Sequence, residues 1–312
     1  MHEFNGLRVL AAGAAGFVGA NLIRELLRHG AEVHALVRPS GDQARLQEIR
    51  DRLQIHDIDL ADHDLLRKKV RAIAPEFIFF SANQRAAATE QGRWQQFQVN
   101  VASRMVLLEA AREFQCKAFV SLGTSLEYGA SQGPMRESDP LAPRNFYGAT
   151  MAAATLMGRE FARLGVPVVM LRPFIVYGPR DIPKRLVPSL FRAARTGEGM
   201  SLTAPGVRRD WVYIDDVVEA CMRAALRADS LAGEVINIGA GRLRSTEEVV
   251  AAVEAATGRR IETRVGEYPR RSFDMDHWVA DVSKARDLLG WQPRHALEDG
   301  IERTAAWYRS EQ

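Results

Sequence analysis

Short apolar runs alternate with stretches whose apolar residues recur at helical spacing. Leu7 to Ala12 is the first run, ending in glycines, and Asn21 to Arg28 then puts Leu22, Ile23, Leu26 and Leu27 on one helical face. Glu32 to Val37, Leu53 to Ile58, Phe77 to Ser81, Ala118 to Leu122 and Val168 to Leu171 continue the series of strands, with helical patterns between most of them. The alternation predicts an α/β fold: a doubly wound, parallel Rossmann sheet with right-handed crossovers and ligands at the carboxyl ends of its strands.

After Pro173 the pattern changes. Pro179, Pro183 and Pro188 interrupt the periodicity, and Arg192 to Gly199 reads as a helix ending in a glycine-rich loop. Val235 to Ile238 is expected to return to the main sheet as a late strand. Ser245 is a candidate N-cap with Glu248 three residues on, the capping-box spacing. The boundary is therefore interleaved: residues 1–175 plus about 211–239 for the sheet domain, and about 176–210 plus 240–312 for a smaller C-terminal substrate domain.

Composition narrows the class. The 312 residues are 46% hydrophobic and 26% charged, the balance of a chain that folds around a core. A net charge of +3 lacks the one-signed field of a nucleic-acid binder. Cys116 and Cys221 have neither disulfide-framework nor metal-ligand spacing and are expected as buried small hydrophobes, so no metal is expected. No apolar run approaches the roughly 20 residues that span a bilayer, and no signal-peptide pattern opens the chain, so a cytoplasmic protein away from membranes is expected.

Gly13-Ala14-Ala15-Gly16-Phe17-Val18-Gly19 lies between the first strand and the first helix, where glycines let backbone approach a pyrophosphate held on the helix N-terminus. The next strand ends in Arg38, where an NAD site carries an Asp or Glu that pairs with the ribose hydroxyls. A guanidinium suits a 2'-phosphate, which favours NADP(H), with NAD(H) as the alternative. Asp59-Leu60, after the third strand, is placed for the adenine edge, although an aspartate there is also a common turn former.

Ser121-Leu122-Gly123-Thr124-Ser125-Leu126-Glu127-Tyr128-Gly129 ends the fifth strand, and Tyr147-Gly148-Ala149-Thr150-Met151 opens the following helix. With the glycine turn, Leu171 to Pro179, Arg209 to Asp216, Asn237-Ile238-Gly239 and Gly290-Trp291-Gln292-Pro293, the chain resembles the extended short-chain dehydrogenase/reductases that act on nucleotide sugars, nearly end to end. The resemblance implies that Tyr147 moves a proton at the sugar oxygen while a hydride passes to or from nicotinamide, and that the Thr124 hydroxyl polarises that oxygen. It implies cofactor contacts at Gly13, Gly16, Phe17, Val18, Gly19, Arg38, Asp59, Leu60, Ala82, Tyr147 and Pro173. Substrate contacts fall at Ser125 and Ile175, with Arg209 and Arg271 gripping the diphosphate; Ile175 stands where many members carry an asparagine. A homodimer through the helices that begin near Trp94 and Tyr147 is the family habit.

Met151 stands where the family has a lysine that binds the nicotinamide ribose and favours the tyrosine phenolate. Methionine fills the space and carries no charge. Three readings stay open: an engineered Lys-to-Met change, a silent NADP-binding homologue, or an enzyme that uses its tyrosine without lysine. Dehydratases of the family follow the threonine with Asp-Glu and decarboxylating members place a Glu second; here Ser125-Leu126 stand there, and Glu127 is one place late, on the opposite face of a strand-like segment. The expected reaction is NADPH-dependent reduction of a 4-keto-6-deoxy nucleotide sugar, with a nucleotide-sugar 4-epimerase as the alternative.

Overall fold

A computed structural model describes residues 3–85, 89–269 and 278–311. Its strands are β1 (Arg8–Ala12), β2 (Glu32–Val37), β3 (Gln54–Asp57), β4 (Phe77–Phe80), β5 (Ala118–Leu122), β6 (Val168–Pro173), β7 (Ile175–Tyr177), β8 (Met200–Leu202), β9 (Arg208–Tyr213), β10 (Val235–Ile238), β11 (Leu243–Ser245) and β12 (Thr263–Val265). Its helices are α1 (Phe17–Arg28), α2 (His63–Ile73), α3 (Glu90–Phe97), α4 (Ser103–Glu113), α5 (Phe146–Arg163), α6 (Leu186–Thr196), α7 (Ile214–Leu226), α8 (Thr246–Thr257), α9 (Ser283–Leu289) and α10 (Leu297–Ser310).

The doubly wound sheet has seven strands in the order β10-β6-β5-β4-β1-β2-β3. The pairs from β6 through β3 are parallel, with Val9 opposite Val33 and Phe77, and Phe119 opposite Val168. Every residue of β4 and β5 is buried, because crossover helices cover both faces of a parallel sheet. Leu10, Ile78, Phe80 and Phe119 pack there with Leu66 and Val70 of α2 and Leu107 and Leu108 of α4. Parallel strands put the segments after β1, β4 and β5 on one edge, the edge where such sheets bind ligands.

The chain divides into two compact units. One runs to Gly129 and adds Pro140–Arg172 and Val218–Ile236; the other comprises Ala130–Asp139, Pro173–Val217 and the chain from Asn237 onward. In the second unit β7, β9 and β11 form a small sheet, and β12 pairs with β8. The buried Asp210 carboxylate accepts the backbone N–H groups of Ala240, Gly241 and Ala280 at 2.6–3.0 Å, tying two other segments of this unit to β9.

Two local readings need correction. The helix expected from Arg192 begins six residues earlier, at Leu186, because Pro188 falls in its first turn, where its missing N–H has no helical partner to lose. The segment after Thr124 is not strand-like: Ser125–Glu127 is a 3-10 turn closed by a capping box between Thr124 and Glu127. The Ser245–Glu248 box forms as its spacing implies, with both bonds present. Both cysteines are buried and free.

Candidate active site

The glycine turn is built by close backbone approach. Gly13 has φ +85°, and a Cβ there would sit 2.4 Å from the Ala82 nitrogen; one on Gly19 would sit 2.1 Å from the Gly13 carbonyl oxygen. Gly16 is the N-cap of α1 and places no side chain over the first amides of the helix, those of Phe17 and Val18. A helix N-terminus left open in this way fits a diphosphate, whose oxygens those N–H groups can meet. Ser81 fastens β4 to this turn through its N–H and hydroxyl to the Ala12 carbonyl, at 2.9 and 3.1 Å, which holds Ala82 beside Gly13.

Arg38 is exposed just past β2, in a tight turn where the Gly41 N–H reaches the Arg38 carbonyl at 2.9 Å. Its side chain has no hydrogen bond or ion pair among the described residues, so the guanidinium is available to an anion. Asp59 is half-buried and its carboxylate accepts the Ala61 N–H at 3.0 Å, the turn-forming use of an aspartate; Leu60 packs against the core.

Thr124 and Tyr147 belong to one unit and one edge. Thr124 is buried after β5, and its hydroxyl oxygen accepts the Leu126 N–H at 3.3 Å, leaving the hydroxyl proton free to donate. Asn145 caps α5 by accepting the Gly148 N–H at 2.7 Å, and a Cβ on Gly148 would sit 2.2 Å from the Leu126 carbonyl oxygen. Only glycine lets the first turn of α5 press onto the turn that follows Thr124. Tyr147 is 8% exposed and Met151, one helical turn on, is fully buried. The Arg85 guanidinium stands 5.0 Å from the centre of the Tyr147 ring, over its face.

Glu127 has a structural task. One carboxylate oxygen accepts the Thr124 N–H at 2.9 Å, and the other accepts the Thr155 hydroxyl and Arg172 Nε, each at 2.8 Å. Burial pushes this carboxyl up, and the Arg172 charge with the other donors pulls it back. The pair is shut off from solvent, and Arg172 also donates to the Tyr128 hydroxyl at 2.8 Å. With no exposed oxygen, Glu127 cannot exchange a proton with a substrate.

The structure therefore places Gly13, Gly16, Phe17, Val18, Gly19, Arg38, Asp59, Leu60, Ala82, Thr124, Ser125, Tyr147 and Met151 in one compact unit. Pro173, Ile175 and Arg209 lie in the other. Ile175 is half-buried on β7, and Arg209 on β9 is mostly buried, its guanidinium 4.8 Å from the centre of the Trp278 ring. Arg271 lies outside the described residues. Among the described residues no group of three or more His, Cys, Asp or Glu could hold a metal ion, and no helix is long and apolar enough to cross a membrane.

Two residues escaped the sequence reading. Asn100, in a π-helical turn between α3 and α4, accepts the Gln84 N–H at 2.7 Å and donates to the Gln84 carbonyl and to the Thr150 hydroxyl, each at 3.0 Å. It clamps the segment that carries Arg85 to the helix that carries Tyr147. Arg104 on α4 is a buried cation whose periodic position reads as core; its one signal was charge on an otherwise apolar face.

This arrangement, a glycine turn and an open helix end with Thr124 and Tyr147 on segments packed together at one end of the sheet, has the form of a doubly wound dinucleotide-binding fold. Residues 9–239 match the NAD dependent epimerase/dehydratase family, and the chain belongs to that family. It is 32% identical to a UDP-glucose 4-epimerase of Mycolicibacterium smegmatis, over 97% of this chain and 99% of that protein. It is 29% identical to a dTDP-glucose 4,6-dehydratase of Xanthomonas campestris, over 97% and 93%. Among solved structures, the UDP-glucose 4-epimerase of Thermus thermophilus in complex with NAD superimposes with a TM-score of 0.86 at 28% identity, over 98% of this chain and 100% of that one.

Proposed function

We propose that this chain moves a hydride at one carbon of a nucleotide sugar and a proton at the oxygen that carbon carries, and that its reaction is NADPH-dependent reduction of a 4-keto-6-deoxy nucleotide sugar. The observation that carries the reading is the state of Glu127. Dehydration and decarboxylation need an acid beside the threonine, and here Leu126 is apolar while Glu127 is consumed by three donors inside the fold. Proton transfer by Tyr147 remains. Thr124 donates a hydrogen bond to the sugar oxygen and orients it, and Tyr147 gives that oxygen its proton as the ketone becomes an alcohol. The nicotinamide cofactor, when bound, supplies the hydride.

Gly13, Gly16 and Gly19 with the amides of Phe17 and Val18 hold the diphosphate, Arg38 the 2'-phosphate, Asp59 and Leu60 the adenine side, and Ala82 and Pro173 the nicotinamide side. Ser125, Ile175, Arg209 and Arg271 contact the nucleotide sugar. Residues 1–175 with about 211–239 bind the cofactor, and residues 176–210 with 240–312 bind the sugar nucleotide. The choice of NADP(H) rests on the unpaired Arg38, although the Thermus neighbour was solved with NAD. The protein works as a homodimer, a reading supported by Trp94, Phe97 and Met105, which are 61%, 38% and 47% exposed on α3 and α4.

A second reading, 4-epimerisation with NAD(P) retained, is favoured by the identity to the mycobacterial epimerase. The deciding experiment follows NADPH absorbance with dTDP- and UDP-linked 4-keto-6-deoxy sugars, and separately assays conversion of UDP-glucose to UDP-galactose. Stoichiometric NADPH consumption, lost in Tyr147→Phe, is expected. Sugar interconversion without net NADPH consumption would replace the reductase by the epimerase. Binding of NADP without either reaction would leave a silent homologue.

A further inference from the structure

We propose that Arg104 supplies the positive charge against which Tyr147 gives up and recovers its proton, the charge that Met151 does not provide. This rests on the role of Tyr147 in the reaction above.

Arg104 is 1% exposed. Its Nη1 donates to the Asn100 carbonyl at 3.0 Å and its Nη2 to the Leu122 carbonyl at 3.2 Å, while Nε has no hydrogen-bond partner among the described residues. The guanidinium lies 4.2 Å from the centre of the Phe80 ring, at the end of β4. Its anchors tie it to the segments that carry the site: Leu122 is two residues before Thr124, and Asn100 is bonded to Thr150, whose hydroxyl donates to the Tyr147 carbonyl at 2.8 Å. Among the described residues no carboxylate pairs with it.

A buried cation is costly unless something compensates it, and two carbonyl oxygens do so only partly. Burial lowers the Arg104 pKa to about 10, with the charges of Glu127 and Tyr147 opposing the drop, so the group is still a cation at neutral pH. Glu127 is already matched by Arg172. The titratable group that hydrogen bonds link to Arg104 is Tyr147, through Asn100 and Thr150. When the Tyr147 O–H bond breaks and the proton forms a new O–H bond on the sugar oxygen, the phenolate left behind is stabilised by a fixed charge in a dry setting; the phenolate then regains a proton from solvent. Of the other charged groups, Arg85 is exposed over the Tyr147 ring, and Glu127 and Arg172 are paired with each other. Met151 is then the packing that a second buried cation would disturb.

The test uses the full-length protein without ligand and reads the ultraviolet difference titration of phenolate between each variant and its Tyr147→Phe counterpart. Arg104→Met should move the Tyr147 transition to higher pH by about one unit or more, with a fall of about tenfold in kcat at neutral pH and KM within about twofold. Moving the cation, in Arg104→Met/Met151→Lys, should bring the transition back to within about half a unit. An unchanged transition in folded Arg104→Met, or a double variant indistinguishable from the single one, overturns the proposal. If Arg104→Met does not fold, Arg104→Lys and the double variant decide: both should keep the parent titration, and a shift of more than about half a unit in either overturns it. A titration that follows Arg104 in a protein inactive on every sugar would remove the functional reading and keep this one. Full turnover in Arg104→Met would do the reverse.

Discussion

Arg172 and Arg104 are two buried guanidinium groups in the same unit, at 2% and 1% exposure, with opposite surroundings. Arg172 meets a carboxylate at Nε, a phenol hydroxyl at Nη1 and the face of the Tyr128 ring. Burial works against its charge, but the charges and hydrogen bonds of Glu127 and Tyr128 together outweigh burial and hold it more firmly protonated than a free arginine. Arg104 has two carbonyls and an idle Nε, and its protonation is weakened. A charge neutralised by its neighbours locks the strand ends together and projects little field. A charge left unneutralised holds less structure and acts at a distance.

The comparison breaks first at Glu127→Gln. That change turns Arg172 into a buried cation without its counter-charge, and breaking such a pair costs about 3–5 kcal/mol. Denaturant unfolding should show a loss of that order. A loss below about 1 kcal/mol would mean that the two arginines are not different in kind.

Arg38 supplies a third case, a guanidinium in solvent with nothing to hold. Arg38→Ala should leave the melting temperature in place and weaken NADP by about 1.5–3 kcal/mol, roughly ten- to a hundredfold, with NAD little changed. Calorimetric titration with both dinucleotides reads this directly. Equal loss for both, or tighter NAD than NADP in the parent, removes Arg38 from the cofactor site.

For Arg104→Met the stability outcome should contrast with that of Glu127→Gln. Replacing a buried charge by an apolar side chain of similar length is often neutral, although the Asn100 and Leu122 carbonyls lose their donor. The net change should stay within about 1 kcal/mol while turnover falls, the signature of a group kept for chemistry. A loss of 3 kcal/mol or more would make Arg104 another structural arginine.

These contrasts mark how far the sequence could be read. The strands of the parallel sheet were legible because near-continuous apolar runs leave little choice, and the glycine turn because only glycine permits its backbone contacts. Thr124 and Tyr147 were legible as members of ordered motifs. Glu127 was misplaced because one 3-10 turn, set by the Thr124 capping box, rotates it inward where an extended segment would not. Arg104 was passed over because, although its position reads as core, an arginine is expected to reach solvent, and its burial depends on carbonyls contributed by β5 and the π-helical turn. Pairings that arise only when distant segments meet leave no local mark.

The smallest effect belongs to Arg85, the other cation near Tyr147. It stands over the ring face at 5.0 Å but is exposed, so water screens its charge. A cation–π contact at an exposed site contributes about 0.5–1 kcal/mol, less than the field of a charge held in the interior. Arg85→Gln should therefore shift the pH dependence of turnover in the same direction as Arg104→Met by no more than about half a unit, and the shift should shrink at high salt, where that of Arg104→Met persists. Measuring both pH profiles at low and at about 1 M salt separates the screened cation from the buried one. If Arg85→Gln gave the larger and salt-insensitive shift, the charge acting on Tyr147 would be the one above the ring, and the contrast between the two buried arginines would lose its functional half.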